Sequence, residues 1–140
     1  MEVDRLYSIS REPGASVNCS LKSVGFPSPA EDYQDKGLDL NEYLVRNRPA
    51  TFLVKVAGNA MRQAGIHDQD LLVVDRSLTA RNDHIVVAVV EGEFLVRRLK
   101  KMHDRMHLHA EDGHYTPLAM WPGMQLEIWG VVTYVIHATR

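Results

Sequence analysis

The chain has 140 residues, with 16 basic and 18 acidic side chains and a formal net charge of -2. This length suits a single domain that buries about two-thirds of its unfolded surface. Because no overall positive field exists, we expect no direct, sequence-specific DNA binding. A lone cysteine, Cys19, excludes an intrachain disulfide and favours a reducing, cytoplasmic location. The acidic N-terminus and the absence of an apolar run of about 18 residues disfavour secretion and membrane insertion.

Residues 1–37 carry Ser, Gly, Pro and charges without a sustained hydrophobic period. Pro27 and Pro29 lack backbone donors and bias the preceding residues towards extended geometry, which disfavours a helix. We therefore predict an extended N-terminal arm over residues 1–37 and one β-rich domain over residues 38–140. A disordered tail is the alternative interpretation of the arm.

The domain begins with one short predicted helix. Asp39 is a suitable N-cap, Leu40, Tyr43 and Leu44 follow at helical spacing, and Pro49 ends the pattern. From residue 51 the pattern favours strands. The predicted strands are Thr51–Ala57, Asp70–Asp75, Ile85–Val90, Glu93–Leu99, Met106–His109 and Gln125–His137.

Glu91-Gly92 separates two apolar runs and predicts a tight hairpin, since glycine tolerates a positive φ. Short strands with turn residues between them favour a mainly β fold, compact and twisted or partly closed, over a parallel βαβ array. The apolar run Leu126–Ile136 is expected to build core and a dimer contact, because an exposed strand edge of this kind would invite aggregation.

Four separated segments resemble the UmuD-like branch of the LexA-type self-cleaving serine peptidases. The segments are Gly25-Phe26-Pro27-Ser28-Pro29-Ala30, Val56-Ala57-Gly58-Asn59-Ala60-Met61, Gly65 to Asp75, and Glu93-Phe94-Leu95-Val96-Arg97-Arg98-Leu99. Their order and spacing agree with that family from about residue 24 to the end. The resemblance implies the fold of the LexA and UmuD C-terminal domain, with no cofactor and no metal.

In that family a serine in a turn attacks a bond of the protein's own arm, activated by an unprotonated lysine on a later strand. The resemblance puts Ala60 and Arg97 at these two positions. Alanine has no hydroxyl to form an acyl intermediate, and a guanidinium stays protonated at neutral pH and so cannot act as the base. Lys100 would lie on the opposite face of the strand from Arg97, and Lys101 about 13 Å farther along at ~3.3 Å per residue.

By the same resemblance the bond to be cut lies between Val24 and Gly25. The family usually has a small residue before that glycine, whereas Val24 is β-branched and stiff at χ1. The nucleophile, the base and the residue before the cleaved bond therefore all differ from the family pattern, whereas an engineered knockout needs only one substitution. This favours natural loss of self-cleavage, and a designed double mutant stays open.

The function implied is that of an UmuD-like accessory protein of the DNA-damage (SOS) response, unable to cleave itself. The implied partners are an UmuC-type translesion polymerase, the RecA filament, the replicative clamp and other UmuD-like chains, as homodimer or heterodimer. One alternative is that this chain is an inactivated mutant of a self-cleaving peptidase. Another is a LexA-type transcriptional regulator, which is disfavoured because residues 1–37 are too short and irregular for a helix-turn-helix.

Other reactive residues have ordinary structural explanations. His107 and His109 share a strand face and, with His103, suggest a metal site, yet solvent-facing histidines are favoured. Ser77 and Thr79 follow a strand end, where small polar residues make turn hydrogen bonds. The basic run at 97–101 with Arg105 favours a solvated strand end over a phosphate site. If Arg97 is partly buried, a carboxylate partner is expected, with Asp83, Glu91 or Glu93 as candidates.

Overall fold

A computed structural model describes residues 1–9, 37–113, 118 and 123–140. The described residues form β1 (Glu2–Ser8), α1 (Leu40–Leu44), β2 (Thr51–Ala57), β3 (Leu71–Asp75), β4 (Ile85–Val90), β5 (Glu93–Met102), β6 (Arg105–His109) and β7 (Leu126–Ile136). Short 3-10 turns cover Arg48–Ala50 and Arg62–Ala64. The predicted mainly β fold is confirmed.

Helix α1 begins at the predicted N-cap. The Asp39 carboxylate accepts a hydrogen bond from the backbone N–H of Asn41 at 2.9 Å, which satisfies one of the free donors of the first turn. The helix is only five residues long. Within the described parts of the chain, no helix has the length and apolar character needed to cross a bilayer.

One antiparallel sheet contains the seven described strands in the order β1-β2-β3-β7-β4-β5-β6. Strand β1 also pairs with β5, where Glu2 lies opposite Leu95. Because β1 pairs with both β2 and β5, the strands β1, β2, β3, β7, β4 and β5 form a ring, and β6 lies outside it. The sheet is therefore partly closed, as predicted. The β4–β5 hairpin turns at Glu91 and Gly92, whose φ angles of 48° and 82° are both in the left-handed region expected of such a turn.

The core consists of two clusters on opposite faces of the β4–β5 hairpin, because the adjacent residues Val86 and Val87 belong to different clusters. One cluster of buried side chains brings Met1 together with residues of β2, β3, β4 and β5, and it includes Val54, Val56, Met61, Ile66, Leu72, Val74, Val87 and Val96. A second cluster combines β4, β5 and β6 with Val131. Residues at both ends of the described chain therefore contribute to one folded unit.

Strand β7 lies in the interior of the sheet, between β3 and β4. The half of β7 from Leu126 to Val131 pairs with β4, and the half from Val131 to Ile136 pairs with β3, so each half keeps one edge without a partner among the described strands. Its middle is buried at Gly130 and Val131, whereas Val135 and Ile136 near its end are 37% and 43% exposed. The predicted contribution to the core is confirmed, and the dimer contact stays a prediction.

The N-terminal strand is a feature that the sequence did not reveal. Residues 2–8 pair with β2 from Phe52 to Ala57, so this part of the predicted arm is built into the sheet. Residues 10–36 lie outside the described residues, and the division into an arm over 1–37 and a domain over 38–140 stays a prediction.

Candidate functional site: the turn after strand β2 and the facing part of strand β5

The turn that carries Ala60 follows β2 directly. Gly58 has a φ of 102°, a value that side chains disfavour, and its N–H donates to the Asp68 carboxylate at 2.8 Å. Met61 is fully buried and its carbonyl accepts hydrogen bonds from Ala64 and Ile66 at 3.0 and 3.2 Å. The turn is therefore fixed at its first residue and anchored in the core at its last.

Ala60 itself is half-buried and packs against the first core cluster. Its carbonyl accepts a hydrogen bond from the N–H of Glu111 at 2.6 Å, and the Glu111 carbonyl accepts one from Gln63 at 2.7 Å. These bonds tie the turn to the segment after β6. The side chain at this position is a methyl group, so it offers no atom for nucleophilic or proton-transfer chemistry.

Arg97 lies in β5, half-buried, opposite Val86 of β4. Its Nη1 donates to the carbonyl oxygens of Val96 at 2.8 Å and Met1 at 3.2 Å. Burial lowers the pKa of the guanidinium, and the charges of Asp112 and Glu2 act in the opposite direction. Even a lowered arginine pKa leaves the group protonated at neutral pH, so it can act as a fixed cation and donor.

The predicted carboxylate partners of Arg97 need correction. Asp83 pairs with Lys100, and the Glu91 carboxylate accepts a hydrogen bond from the N–H of Gln125 at 3.0 Å. The acidic groups that affect the pKa of Arg97 are instead Asp112 and Glu2. The strand position of β1 explains the role of Glu2, since its register puts Glu2 opposite Leu95, two residues from Arg97.

Met1 connects the two predicted positions. Its carbonyl accepts hydrogen bonds from Arg97 and from the Val96 N–H at 3.1 Å, and its Cα lies 3.4 Å from the place where a Cβ on Gly58 would stand. Burial, reinforced by the charge of Arg97, lowers the pKa of the Met1 amino group from 8.0 to about 6. The fold thus brings the turn of Ala60 and the Arg97 segment of β5 into contact with one common residue.

Comparison with known proteins agrees with this architecture. A family model described as Peptidase S24-like matches residues 18–133. The chain belongs to this family. The predicted relationship to UmuD-like and LexA-type proteins is confirmed at the level of the family.

Individual relatives of this S24-like chain align over most of its length. Protein MucA of Salmonella typhimurium is 45% identical over 137 residues, covering 96% of the chain and 93% of MucA. Protein SamA of Salmonella typhimurium strain LT2 is 44% identical over 117 residues, covering 84% of the chain and 81% of SamA. The LexA repressor of Actinobacillus pleuropneumoniae is 36% identical over 116 residues, covering 82% of the chain and 55% of that repressor.

Two lysines of the S24-like chain lie beyond Arg97 on β5, and both ammonium groups are held by the loop before β4. Lys100 pairs with Asp83, and Lys101 Nζ donates to the carbonyl of Ala80 at 2.9 Å. The same loop receives Arg98, whose Nη1 donates to the Asp83 carbonyl at 2.7 Å. Arg98 also pairs with Glu111, so the basic run is engaged in intramolecular contacts.

Val24 and Gly25, the predicted cleavage position, and Cys19 fall outside the described residues. Ser77 lies in a turn where its N–H and hydroxyl both donate to Asp75 Oδ1, at 2.8 and 2.5 Å, in agreement with the structural interpretation. His107 and His109 lie side by side with ring centroids 6.1 Å apart, and His109 is buried, so the prediction of a solvent-facing side chain is wrong for His109. His103 is exposed in the β5–β6 turn.

A different histidine cluster emerges from the fold. Among the described residues, the group whose ligand atoms lie close enough to hold a metal ion is His67, Asp70 and His137. Sequence reasoning missed it because His137 is 67 residues from Asp70 along the chain. The His67-x-x-Asp70 spacing before a strand was the local signal, and the third member depends on β7 pairing with β3.

Proposed function

We propose that this chain is an UmuD-like accessory subunit of an error-prone translesion DNA polymerase, acting in the cytoplasm during the SOS response without cleaving itself. Membership of the Peptidase S24-like family and 45% identity to MucA over nearly the whole chain support an UmuD-like role. The absence of self-cleavage is inferred from the side chains at two positions. Ala60 and Arg97 stand where the family resemblance expects a nucleophile and a base.

The chemical argument is independent at the two positions. Peptide-bond cleavage through an acyl intermediate needs a nucleophilic oxygen or sulfur, and Ala60 ends in a methyl group. A base must then remove the proton of the nucleophile near neutral pH. Arg97 is held by two carbonyl oxygens and remains a cation, so restoring the serine alone would leave it without a base.

A matched set of variants tests this proposal. The native chain, Ala60→Ser, Arg97→Lys and the double variant are incubated with activated RecA and, separately, at alkaline pH, and intact mass is measured. We expect the native chain and both single variants to stay whole. We expect the double variant to break between Val24 and Gly25, faster at higher pH, because a buried lysine must lose its proton and its pKa must fall from about 10.4 towards 7–8.

A break at Val24-Gly25 in the native chain would contradict the proposal directly. The gene sequence supplies a second check: serine and lysine codons at positions 60 and 97 in the native gene would favour the peptidase interpretation. If the double variant stays whole even when it also carries Val24→Ala, the correspondence of Ala60 and Arg97 to a catalytic pair is wrong. Circular dichroism of each variant establishes that the comparison is between folded proteins.

The partners are part of the same proposal: an UmuC-type polymerase, the RecA filament, the replicative clamp and a second UmuD-like chain. Leu38, Leu40 and Tyr43 are 69%, 62% and 54% exposed around α1, and such neighbouring apolar side chains are typical of a contact surface. A chain that keeps the folded domain but lacks the catalytic serine and lysine could pair with an active homologue as its partner, substrate or inhibitor. Mixing the two and finding neither a heterodimer by sedimentation nor a changed cleavage rate would refute this part.

A further inference from the structure

His67, Asp70 and His137 meet at one end of the sheet, away from the residues used in the proposed function. Asp70 directly precedes β3, and His137 directly follows β7. The antiparallel register pairs Leu71 with Ile136, so the two neighbours are brought together by the sheet itself. His67 lies three residues earlier in the loop that leads into β3, and its ring centroid is 4.8 Å from that of His137.

The ligand atoms of these three residues form a tight group. His137 Nδ1 lies 2.6 Å from Asp70 Oδ1, and His67 Nδ1 lies 3.8 Å from Asp70 Oδ2. All three ligand atoms fall within 4.8 Å of one another. Around a tetrahedral ion with bonds of about 2.1 Å, ligand atoms stand about 3.4 Å apart, so shifts of roughly 1 Å would complete the geometry.

Two further observations point to a ligand. Asp70 is only 2% exposed, a rare position for a carboxylate, and its Oδ2 accepts the backbone N–H of His67 at 2.8 Å. His67 Nδ1 is shielded from solvent and makes no hydrogen bond to any described residue. A buried nitrogen without a partner is costly, and a cation between it and the carboxylate would satisfy both.

We propose that His67, Asp70 and His137 bind one divalent transition-metal ion, with Zn²⁺ as the expected occupant. Two imidazoles and one carboxylate form a donor set that zinc prefers, and imidazole and carboxylate atoms match its borderline character. Three protein ligands leave a fourth position for water. The His67 and His137 side chains are 43% and 46% exposed, so an ion can enter from solvent.

Metal binding would stabilise the part of the fold that carries Ala60. The loop with His67 and Asp70 is hydrogen-bonded to β2, because the Val56 N–H donates to the Asp70 carbonyl at 3.1 Å and Gln69 donates to Val56 at 2.9 Å. The neighbouring Asp68 carboxylate accepts from Gly58 at the start of the turn. An ion would therefore fasten the end of β7 to the loop that supports this turn, and it would raise resistance to unfolding by binding the folded state.

The test uses the full chain without a histidine tag, freed of metal by a chelator and then dialysed. Zn²⁺ is titrated calorimetrically, and Co²⁺ is titrated as a visible-absorption probe. We expect one equivalent per chain, a rise in melting temperature with Zn²⁺, and at least a tenfold loss of affinity in His67→Ala and His137→Ala. His103→Asn is the matched control, because His103 is exposed in a turn with a φ of 53° that asparagine tolerates, and its affinity should equal the native value.

Each other outcome overturns the proposal. Absence of binding to the native chain would mean that the cluster is only a hydrogen-bonded tie between Asp70 and His137. Equal affinity in the native chain and in both alanine variants would place the metal elsewhere. Far-ultraviolet circular dichroism of the metal-free variants checks folding, and Asp70→Asn, which retains an acceptor for the His67 N–H, gives a third variant if either alanine variant fails to fold.

Discussion

Replacing Gly130 by alanine should destabilise the fold through one identifiable clash. Gly130 lies in β7, and a Cβ there would stand 2.6 Å from Cγ1 of Val74, with Arg76 Cγ and the Asp75 carbonyl next at 3.4 and 3.5 Å. Favourable contact between carbon atoms lies at about 3.5–4.0 Å. Val74 is fully buried and β-branched, so close packing and a restricted χ1 both oppose a rotation that would move this methyl group away.

The magnitude follows from two opposing effects. Overpacking a core by one methyl group costs about 1–3 kcal/mol, whereas replacing a strand glycine by alanine recovers about 0.5–1 kcal/mol of backbone entropy. We therefore expect Gly130→Ala to lower the free energy of unfolding by about 1–2 kcal/mol. For a chain of this size that corresponds to a melting temperature lower by roughly 2–8 °C.

A double-mutant cycle isolates the cause. Val74→Ala removes the clashing methyl group, so the double variant should be more stable than the sum of the two single effects by about 1 kcal/mol or more. Urea unfolding of all four proteins gives the free energies and also shows whether the denaturant slope changes. Gly37→Ala is the control, because nothing lies within 4 Å of its added Cβ. Additive effects within about 0.5 kcal/mol, or an unchanged Gly130→Ala variant, would refute the reasoning.

Three further predictions concern other parts of the chain. Gly58→Ala should cost about 1–2 kcal/mol, because its φ of 102° is strained for alanine and the new methyl group approaches Met1; an unchanged urea midpoint would contradict this. Burial lowers the pKa of His109, so the unfolded chain takes up its proton first as pH falls below about 6.5 and the native protein loses stability there. His109→Gln should flatten that loss, measured as urea midpoints at several pH values, and equal slopes in both proteins would exclude His109 as the cause. Asp39→Ala should cost about 0.5–2 kcal/mol, because the N–H of Asn41 loses its acceptor; Asp39→Asn, which keeps an acceptor, should recover most of it.

Local patterns predicted most of the regular structure. Strands β2 and β4 begin and end at the predicted residues, and β5 differs only by extending to Met102. Such agreement is expected where apolar residues repeat with the period of a strand and turn residues separate them. Strand β1 was missed because its side chains are almost all exposed, so the alternation that marks a half-buried strand is absent.

The sequence alone determined the chemistry available at the predicted dyad: a methyl group at Ala60 and a permanent cation at Arg97 follow from residue identity. It did not determine the neighbours of either group. Pairing of β1 with β2 and β5 decided that Met1 lies against both segments, and pairing of β3 with β7 decided that His137 reaches Asp70. Periodicity encodes which face of an element is apolar, whereas contacts between distant segments depend on strand order and register, which only the folded sheet fixes.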